Sequence, residues 1–492
     1  MPGVVISTST RTGPSTATVR ESSQLFVVGL ADRGPSNEAV LLQSISDFES
    51  IFGDYRSDSY LHPTVETFFE EGGTQCFVAR AVGASATVGI LALVNGSAVT
   101  ALTLTANGPG AWSANVDAEI INTTTAAKLN LYYEDVLVYS TGNCSTTNQM
   151  IGRVNSSAVA ARYVTATVGA GSATLPASTA ALGTPLSAGN SAEGTITAST
   201  YTTALTLFND ALGTGAVAIP EDISTAGAND TLRASLVAHA NTYSRVAILH
   251  GDSTATVAAV KATALTVQGV SSAEHAAIYY PWITVPTGTA GITITIPPDG
   301  YVAAKRAIAH NQVGPHLPAA GLISSARFVL GAVTDVDKST GDSLDDGFVN
   351  AIRVIQNTVR IYGARSLSND TDNFRYITQQ DVVNTIVTEC YRSLEDLVFS
   401  AIDGRNTVFS NIEARLVVIL AGMKDLGALY PAFDANGKQL DNGYTVKCDA
   451  TINPANQLQT GLVKARVGVR VSSVGDKIEI DIVKSNLTST SL

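Results

Sequence analysis

Charge is scarce in this chain and is nowhere concentrated. Asp, Glu, Lys and Arg make up 15% of the 492 residues, low for a chain that must stay soluble alone. A surface poor in charge and rich in Ala, Thr, Ser and Val suits a protein covered by copies of itself. No basic run or basic-aromatic patch occurs, and the net charge is −12. Phosphate binding relies on clustered Lys and Arg, so nucleic acid is not an expected direct partner. Cysteine is also rare. Cys76, Cys144, Cys390 and Cys448 stand far apart with no CxxC spacing, which argues against zinc and thiol-redox sites and for reduced, mostly buried thiols of a protein made in a cytoplasm. Met1-Pro2-Gly3 runs straight into Val4-Val5-Ile6-Ser7 without a basic segment and an apolar one, so no secretion signal is expected. The longest apolar run, near Leu416–Met423, is too short to cross a bilayer, and membrane insertion is not expected.

Motifs of catalysis are missing as well. The six histidines (His62, His239, His250, His275, His310, His316) are scattered, and none has HExxH spacing. Gly437-Lys438 is followed by Gln439, so there is no phosphate-binding P-loop, and no GxGxxG follows a strand pattern. Gly189-Asn190-Ser191-Ala192-Glu193 lacks the second glycine of a nucleophile elbow, and Gly251-Asp252-Ser253 reads as an ordinary βα turn. The acidic run Asp335–Asp346 reads as a loop without the ligand order of an EF-hand. No catalytic residue, cofactor or metal ligand is assigned, and the chain reads as non-enzymatic.

What is present is apolar and periodic. Hydrophobic residues make up 45%, with mean hydropathy +0.18, and the length suggests two to four domains. Gln24–Gly29 reads as a buried strand and Val40–Gln43 as a short one. Ser46-Asp47-Phe48-Glu49 has the form of a capping box for a helix ended by Gly53. Tyr60–Glu71 reads as a second helix and Cys76–Val82 as a strand. From about residue 84 to 200 the chain turns to Ala, Thr, Ser, Gly and Val with alternating runs, which predicts an inserted all-β domain. From Tyr201 a βα pattern returns: a strand at Arg245–His250, a helix over Thr254–Val267, a strand at Ala276–Trp282 and a helix over Tyr301–His310. Phe348–Thr358 reads as a helix and Val359–Tyr362 as a strand. A long helix starts near Thr378 with the stripe Val383, Ile386 or Val387, Cys390, Leu394, Leu397 and Ala401. Another follows through Val408, Ile412, Leu416, Ile419, Met423 and Leu426, with Arg415 and Lys424 on its polar side. Thr445–Asp449 reads as a strand.

The two ends share a design. Val463, Ala465, Val467, Val469 and Val471 alternate with polar residues, Ser472–Asp476 breaks the pattern, and Ile478, Ile480 and Ile482 resume it. At the other end Val4, Val5 and Ile6 precede the Ser- and Thr-rich stretch Ser7–Thr18. A terminal strand has an unpaired edge, so it folds back on its own sheet or pairs with another chain. Two frayed termini are the alternative.

Several segments, in order, resemble the contractile tail sheath protein family of bacteriophages, R-type bacteriocins and type VI secretion-like machines. They are Pro2-Gly3-Val4; Phe26-Val27-Val28-Gly29-Leu30 with Arg33-Gly34-Pro35; Phe52-Gly53; Phe68-Phe69 with Gly72-Gly73; Ala277–Pro281; Ile296-Pro297-Pro298-Asp299-Gly300-Tyr301; and Val446-Lys447-Cys448-Asp449. The most telling pair is Ile361-Tyr362-Gly363-Ala364-Arg365-Ser366-Leu367 and Phe374-Arg375-Tyr376-Ile377. Tyr362 departs from the family, which often has Trp there, and in the insert the resemblance is confined to Gly108-Pro109-Gly110 with Trp112.

The resemblance implies an α/β multidomain fold. An arm and linker would take residues 1–20, and an α/β core would be built from 21–83 and 347–471. A β-rich outer domain would be inserted at 84–200, a subtilisin-like, non-catalytic middle domain would span 201–346, and a second arm would occupy 472–492. It implies hexameric rings stacked in a helical array around a tail tube protein, contact with baseplate and tail terminator proteins, and a place in a virion tail assembled in a host bacterial cytoplasm. The arm strands Val4, Val5, Ile6, Ile478, Ile480 and Ile482 would join sheets of neighbouring subunits. Arg415 and Lys424, on the polar side of their helix, are candidates to face the tube, with an ordinary solvated face as the favoured alternative. Each strand bond contributes roughly 0.5–1.5 kcal/mol net, so one pairing is weak and a mesh of them is not. A static helical coat, or a hydrolase on the subtilisin-like domain, are the alternatives.

Overall fold

The computed structural model describes residues 21–123, 125–287 and 291–477. The proposed arm strands Val4, Val5, Ile6, Ile478, Ile480 and Ile482 lie outside the described residues.

The first strand, β1 (Leu25–Gly29), is buried at every position. Leu25 and Val27 enter one apolar core, while Phe26 and Val28 enter another. Successive side chains point to opposite faces, so a run with no polar residue marks a strand covered on both sides. β2 (Val40–Leu42), α1 (Ile45–Phe52), α2 (Leu61–Glu70) and β3 (Cys76–Arg80) follow. The cap of α1 is Ser44, whose hydroxyl accepts from the Asp47 amide, so the expected box at Ser46 is displaced by two residues. The Gln43 amide in turn donates to Asp47 Oδ2.

Seven strands then leave the body: β4 (Val88–Val94), β5 (Thr100–Pro109), β6 (Val116–Asn122), β7 (Ala127–Tyr133), β8 (Val136–Ser140), β9 (Val164–Val168) and β10 (Thr184–Pro185). They form two antiparallel sheets, β4-β5-β9 and β10-β6-β7-β8, around one core that holds Leu104, Trp112, Ile120, Leu129 and Val164. One helix, α3 (Thr147–Asn155), interrupts the expected all-β pattern and buries Met150 and Val154 in the same core.

The chain re-enters the body through α4 (Ala198–Leu205), β11 (Ala216–Ala218), α5 (Ala228–Thr242), β12 (Val246–His250), α6 (Val257–Gln268) and β13 (Ala276–Tyr280). A side sheet follows, of β14 (Ile283–Pro286), β15 (Thr293–Ile296) and, after α7 (Asp299–Gln312), β16 (Gly331–Ala332). Next come α8 (Lys338–Asp346), β17 (Val349–Ile355) and β18 (Thr358–Tyr362). The body is one eight-stranded sheet, ordered β18-β17-β13-β12-β11-β1-β3-β2. Neighbours from β17 to β3 are parallel, and only the edge strands β18 and β2 are antiparallel.

Three expectations differ here. Phe348–Thr358 is a hairpin rather than a helix, because Gln356 and Asn357 both have positive φ (51° and 62°) and turn Ile355 directly onto Thr358, as a two-residue type I′ loop requires. The acidic run near 335–346 is not a loop. Asp337 caps α8 through the Thr340 amide at 2.7 Å, and Leu344 is buried. Finally, the division of 21–83 from 201–346 cuts through a single sheet, since β1 pairs with β11 on one side and β3 on the other.

The insert is locked to the body at one joint. Arg80, at the end of β3 and 1% exposed, donates to the carbonyls of Ala31 (3.0 Å), Asp32 (3.1 Å), Gly34 (2.9 Å) and Pro109 (2.8 Å). Gly108 has φ +142°, and a Cβ there would lie 1.9 Å from the Gly34 carbonyl oxygen, so only glycine permits the approach. Arg33 stacks on Tyr133 and Tyr163 from the same side. Arg80→Met removes charged donors from four buried carbonyls, and an unfolding free energy lower by roughly 3–5 kcal/mol is expected in urea titration. An unchanged midpoint would mean the joint does not depend on the guanidinium.

Candidate assembly site

A small unit beyond the sheet carries the features of an interface. α9 (Ile377–Leu394) and α10 (Thr407–Asp425) pack on a hairpin of β19 (Tyr444–Lys447) and β20 (Arg466–Val469), with α11 (Ala455–Leu458) in its loop. The core is Val382, Ile386, Leu420, Met423, Ala428 and Leu429, flanked by Cys390, Tyr444, Val446, Val467, Val469 and Val471. The expected α9 stripe holds at Ile386 and Cys390, while Val382 rather than Val383 is buried and Val387 is 49% exposed. It also ends early, because α9 stops at Leu394 and Ala401 is exposed. In α10, Leu420 rather than Ile419 fills the centre, and Leu426 is 38% exposed.

The first turns of α9 are polar and buried, which hydrophobic periodicity does not detect. Asp381 pairs with Arg306 of α7, with Nε 3.1 Å from Oδ2 and Nη2 in contact with Oδ1. The same guanidinium donates to the Ser22 carbonyl. His310 Nε2 lies 3.5 Å from Asp381. Burial pushes the Asp381 carboxyl up, but Arg306 and His310 outweigh it and hold the group below its ordinary range. His310 is driven down by burial and by Arg306. Nearby, Asn384 donates to the Arg245 carbonyl at 3.0 Å, and Gln380 meets His275 at 3.0 Å. α9 therefore starts inside the body and ends outside it. A cleft of about 750 Å³ remains between the two parts, lined among others by Glu21, Thr214, Thr388, Val418 and Met423.

The hairpin is the open feature. Thr445 opposes Gly468 and Val446 opposes Val467, and no further strand pairs with β19 or β20 among the described residues. The predicted strand 463–471 is regular only over Arg466–Val469, with Val471 bridged to Leu429. The outer edges of the two strands thus lie beside a half-buried apolar face.

Arg415 and Lys424 do not come together. Arg415 donates to Asp396 (2.9 Å from Nη2 to Oδ2) and to the Ser393 carbonyl, tying α10 to the end of α9. Lys424 Nζ lies 3.6 Å from Asp425. Exposed apolar side chains stand beside them instead: Val418 at 72%, Tyr391 at 65% and Phe399, fully exposed.

The residues weighed for catalysis occupy structural positions. His250 Nδ1 faces Asp299 at 3.0 and 3.1 Å, and no hydroxyl or thiol among the described residues hydrogen-bonds to its ring. The Ser253 amide donates to Asp222, and Trp282 donates to the Gly251 carbonyl at 2.8 Å, which accounts for the turn. The cavity beside His250 and Glu221 is about 10 Å³, room for at most one water. Cys390 lies against the small core with its thiol raised, chiefly by burial. Glu221 is 6% exposed, and burial pushes its carboxyl up to about 8. Ser59 Oγ lies 2.6 Å from Glu221 and 3.1 Å from the Leu30 carbonyl. Hydrogen bonds from Ser59 and from the Leu30 and Tyr60 backbone oppose that rise but do not cancel it.

No family model matches this sequence, and no curated protein matches it. Solved structures do. The sheath tail protein of Listeria innocua is 15% identical, with a TM-score of 0.58 over 89% of this chain and 90% of that one. A chain of the anti-feeding prophage baseplate is 14% identical, with a TM-score of 0.56 over 99% of each. A chain of the PVC sheath complex in its contracted state is 14% identical, with a TM-score of 0.54 over 99% and 98%. This chain has the tail sheath fold.

Within the sheath fold the two most telling sequence segments meet. Arg365 and Tyr376 form an antiparallel bridge, the Ser366 amide donates to the Arg375 carbonyl, and the Ile377 amide donates to that of Ala364. Arg365 is held by Asp345 through two bonds of 2.8 and 2.7 Å, and Asn350 clamps its backbone. These contacts root α9 at the β18 end of the sheet. Reading the segments separately missed Asp381 and Asn350, whose partners are 75 and 15 residues away.

Removing one partner of the buried pair leaves an uncompensated charge, so Asp381→Ala is expected to lose about 3–5 kcal/mol by chemical denaturation. The double change Asp381→Leu with Arg306→Met should recover much of this, and a purely additive double change would argue against coupling. Glu221 binds a proton in the folded state between its ordinary 4.5 and about 8. Stability therefore falls as pH rises through that window and levels above it. Glu221→Gln should remove that slope and raise the melting temperature at pH 9 relative to the parent while leaving pH 5 little changed. Parallel profiles would show that the carboxyl does not titrate there.

Proposed function

We propose that this chain is a non-enzymatic subunit of a contractile tail sheath. It assembles in stacked rings around a tail tube, is held in a metastable extended lattice, and contracts to drive the tube through a cell envelope. The observation that carries the reading is likeness of fold over 99% of the chain to a subunit of an anti-feeding prophage baseplate and to a sheath chain in a contracted state. The unpaired β19–β20 hairpin supports it, as a seat for strands from neighbouring subunits. On this reading Val4–Ile6 and Ile478–Val483 are those strands, and 84–200 faces outward. The eight-stranded sheet that 201–346 shares with 21–83 serves as a scaffold without chemistry. α10, with Arg415 and Lys424, faces the tube. The setting is a phage tail built in a bacterial cytoplasm, with baseplate and terminator proteins as end partners.

No helix among the described residues is long and apolar enough to cross a membrane. Energy would be stored in the lattice, since backbone pairing is indifferent to side chains and survives rotation of the bodies. Deleting residues 478–492 should leave a folded subunit by circular dichroism that forms no tubes in electron micrographs, whereas the full chain should give tubes of two pitches and radii. Tubes of normal length from the truncated chain would refute the role given to the C-terminal strand, and a single invariant lattice would favour a static coat.

A further inference from the structure

The end of the described chain does not leave from the hairpin edge. After β20, the Ser472 amide donates to the Ala428 carbonyl at 3.0 Å and its hydroxyl to the Gly427 carbonyl at 2.7 Å. Gly475 then has open space where a side chain would be. At the next residue the chain is caught again, because the Tyr376 hydroxyl donates to Asp476 Oδ2 at 2.6 Å. Tyr376 stands one hundred residues earlier, at the start of α9. It is 4% exposed, it is bridged to Arg365, and its amide donates to Gln379 Oε1 at 2.9 Å at the start of α9. The Arg375 guanidinium lies 5.7 Å from its ring. The hydroxyl is thus aimed by contacts that do not involve Asp476, and the Arg365 charge acts on the same carboxylate. Asp345 already takes Nε and Nη2 of Arg365, so the tyrosine is the direct donor to Asp476.

We propose that Tyr376 is a positioning residue: it latches Asp476 to the root of α9 and so fixes the course of the chain between Ser472 and Asp476. The latch joins the sheet end of the molecule to the far end of the small unit, and the chain between Ser472 and Asp476 becomes a strap held at both ends. A segment released from the latch would pivot about Ser472 instead. The consequence for assembly rests on the sheath reading above, while the latch itself is a property of the single subunit.

Trypsin cleavage after Lys477, followed by mass spectrometry on unassembled full-length protein, reads the latch directly. Cleavage of a transiently opened site tracks the open population, and loss of one hydrogen bond makes that population roughly fivefold larger. Tyr376→Phe and Asp476→Ala should each be cut about fivefold faster, and together no faster than either alone. Asp476→Asn, whose amide oxygen still accepts from the hydroxyl, should stay near the parent rate. Asp476 is exposed, so its variants test the latch even if Tyr376→Phe folds poorly. Parent-rate cleavage in Asp476→Ala, or equal acceleration in Asp476→Asn, would overturn the proposal. Because no tube formation is required, failure of this test is separate from failure of the sheath reading.

Discussion

The buried pair between Arg306 and Asp381 is the contact on which the arrangement of the two parts depends. It brings three segments to one point: the Ser22 carbonyl near the start of the described chain, α7 in the middle, and the first turns of α9. Taking a carboxylate and a guanidinium out of water is expensive, and the cost is offset only when geometry is good and the remaining donors are satisfied. Here the second donor group of Arg306 is used by Ser22. The result is a directional lock rather than a greasy contact, because apolar faces can slide and a forked hydrogen bond cannot.

Around that lock the molecule separates rigid from receptive surfaces. The parallel strands of the large sheet are covered on both faces. At one edge, Ser324 and Ala326 bond to β18, and Tyr301 reaches the Val359 carbonyl. At the other, β2 is three residues long. Both are ways of keeping a sheet from recruiting strangers. Among the described residues the β19–β20 hairpin is paired by no further strand, and its apolar face is only half-buried. The insert is fixed to the same body through Arg80 and the Gly34–Gly108 contact.

Much of this was legible in the order of residues. The unbroken apolar run of β1, the alternation in β5 and β6, the threefold-fourfold spacing along α10 and the absence of ligand or nucleophile spacing are local patterns, and local patterns survive without coordinates. Phe348–Thr358 was misread because its apolar spacing fits a helix nearly as well as a strand, and the deciding signal was the conformation of Gln356-Asn357. The acidic stretch at 337–346 was misread because charge suggested solvent, whereas one buried leucine and one capping aspartate suffice for a short helix. The domain division failed because β1 and β11 are neighbours across nearly two hundred residues of intervening chain.

By itself the sequence determined the α/β class, the apolar strands and the composition change of the insert, since each follows from side-chain polarity at fixed short spacing. Only the tertiary structure decided that residues 21–83 and 201–362 share one sheet, that polar side chains at the start of α9 are interior, and that Tyr376 meets Asp476. Those contacts join positions far apart along the chain, and a buried polar group declares itself only when its partner is in place.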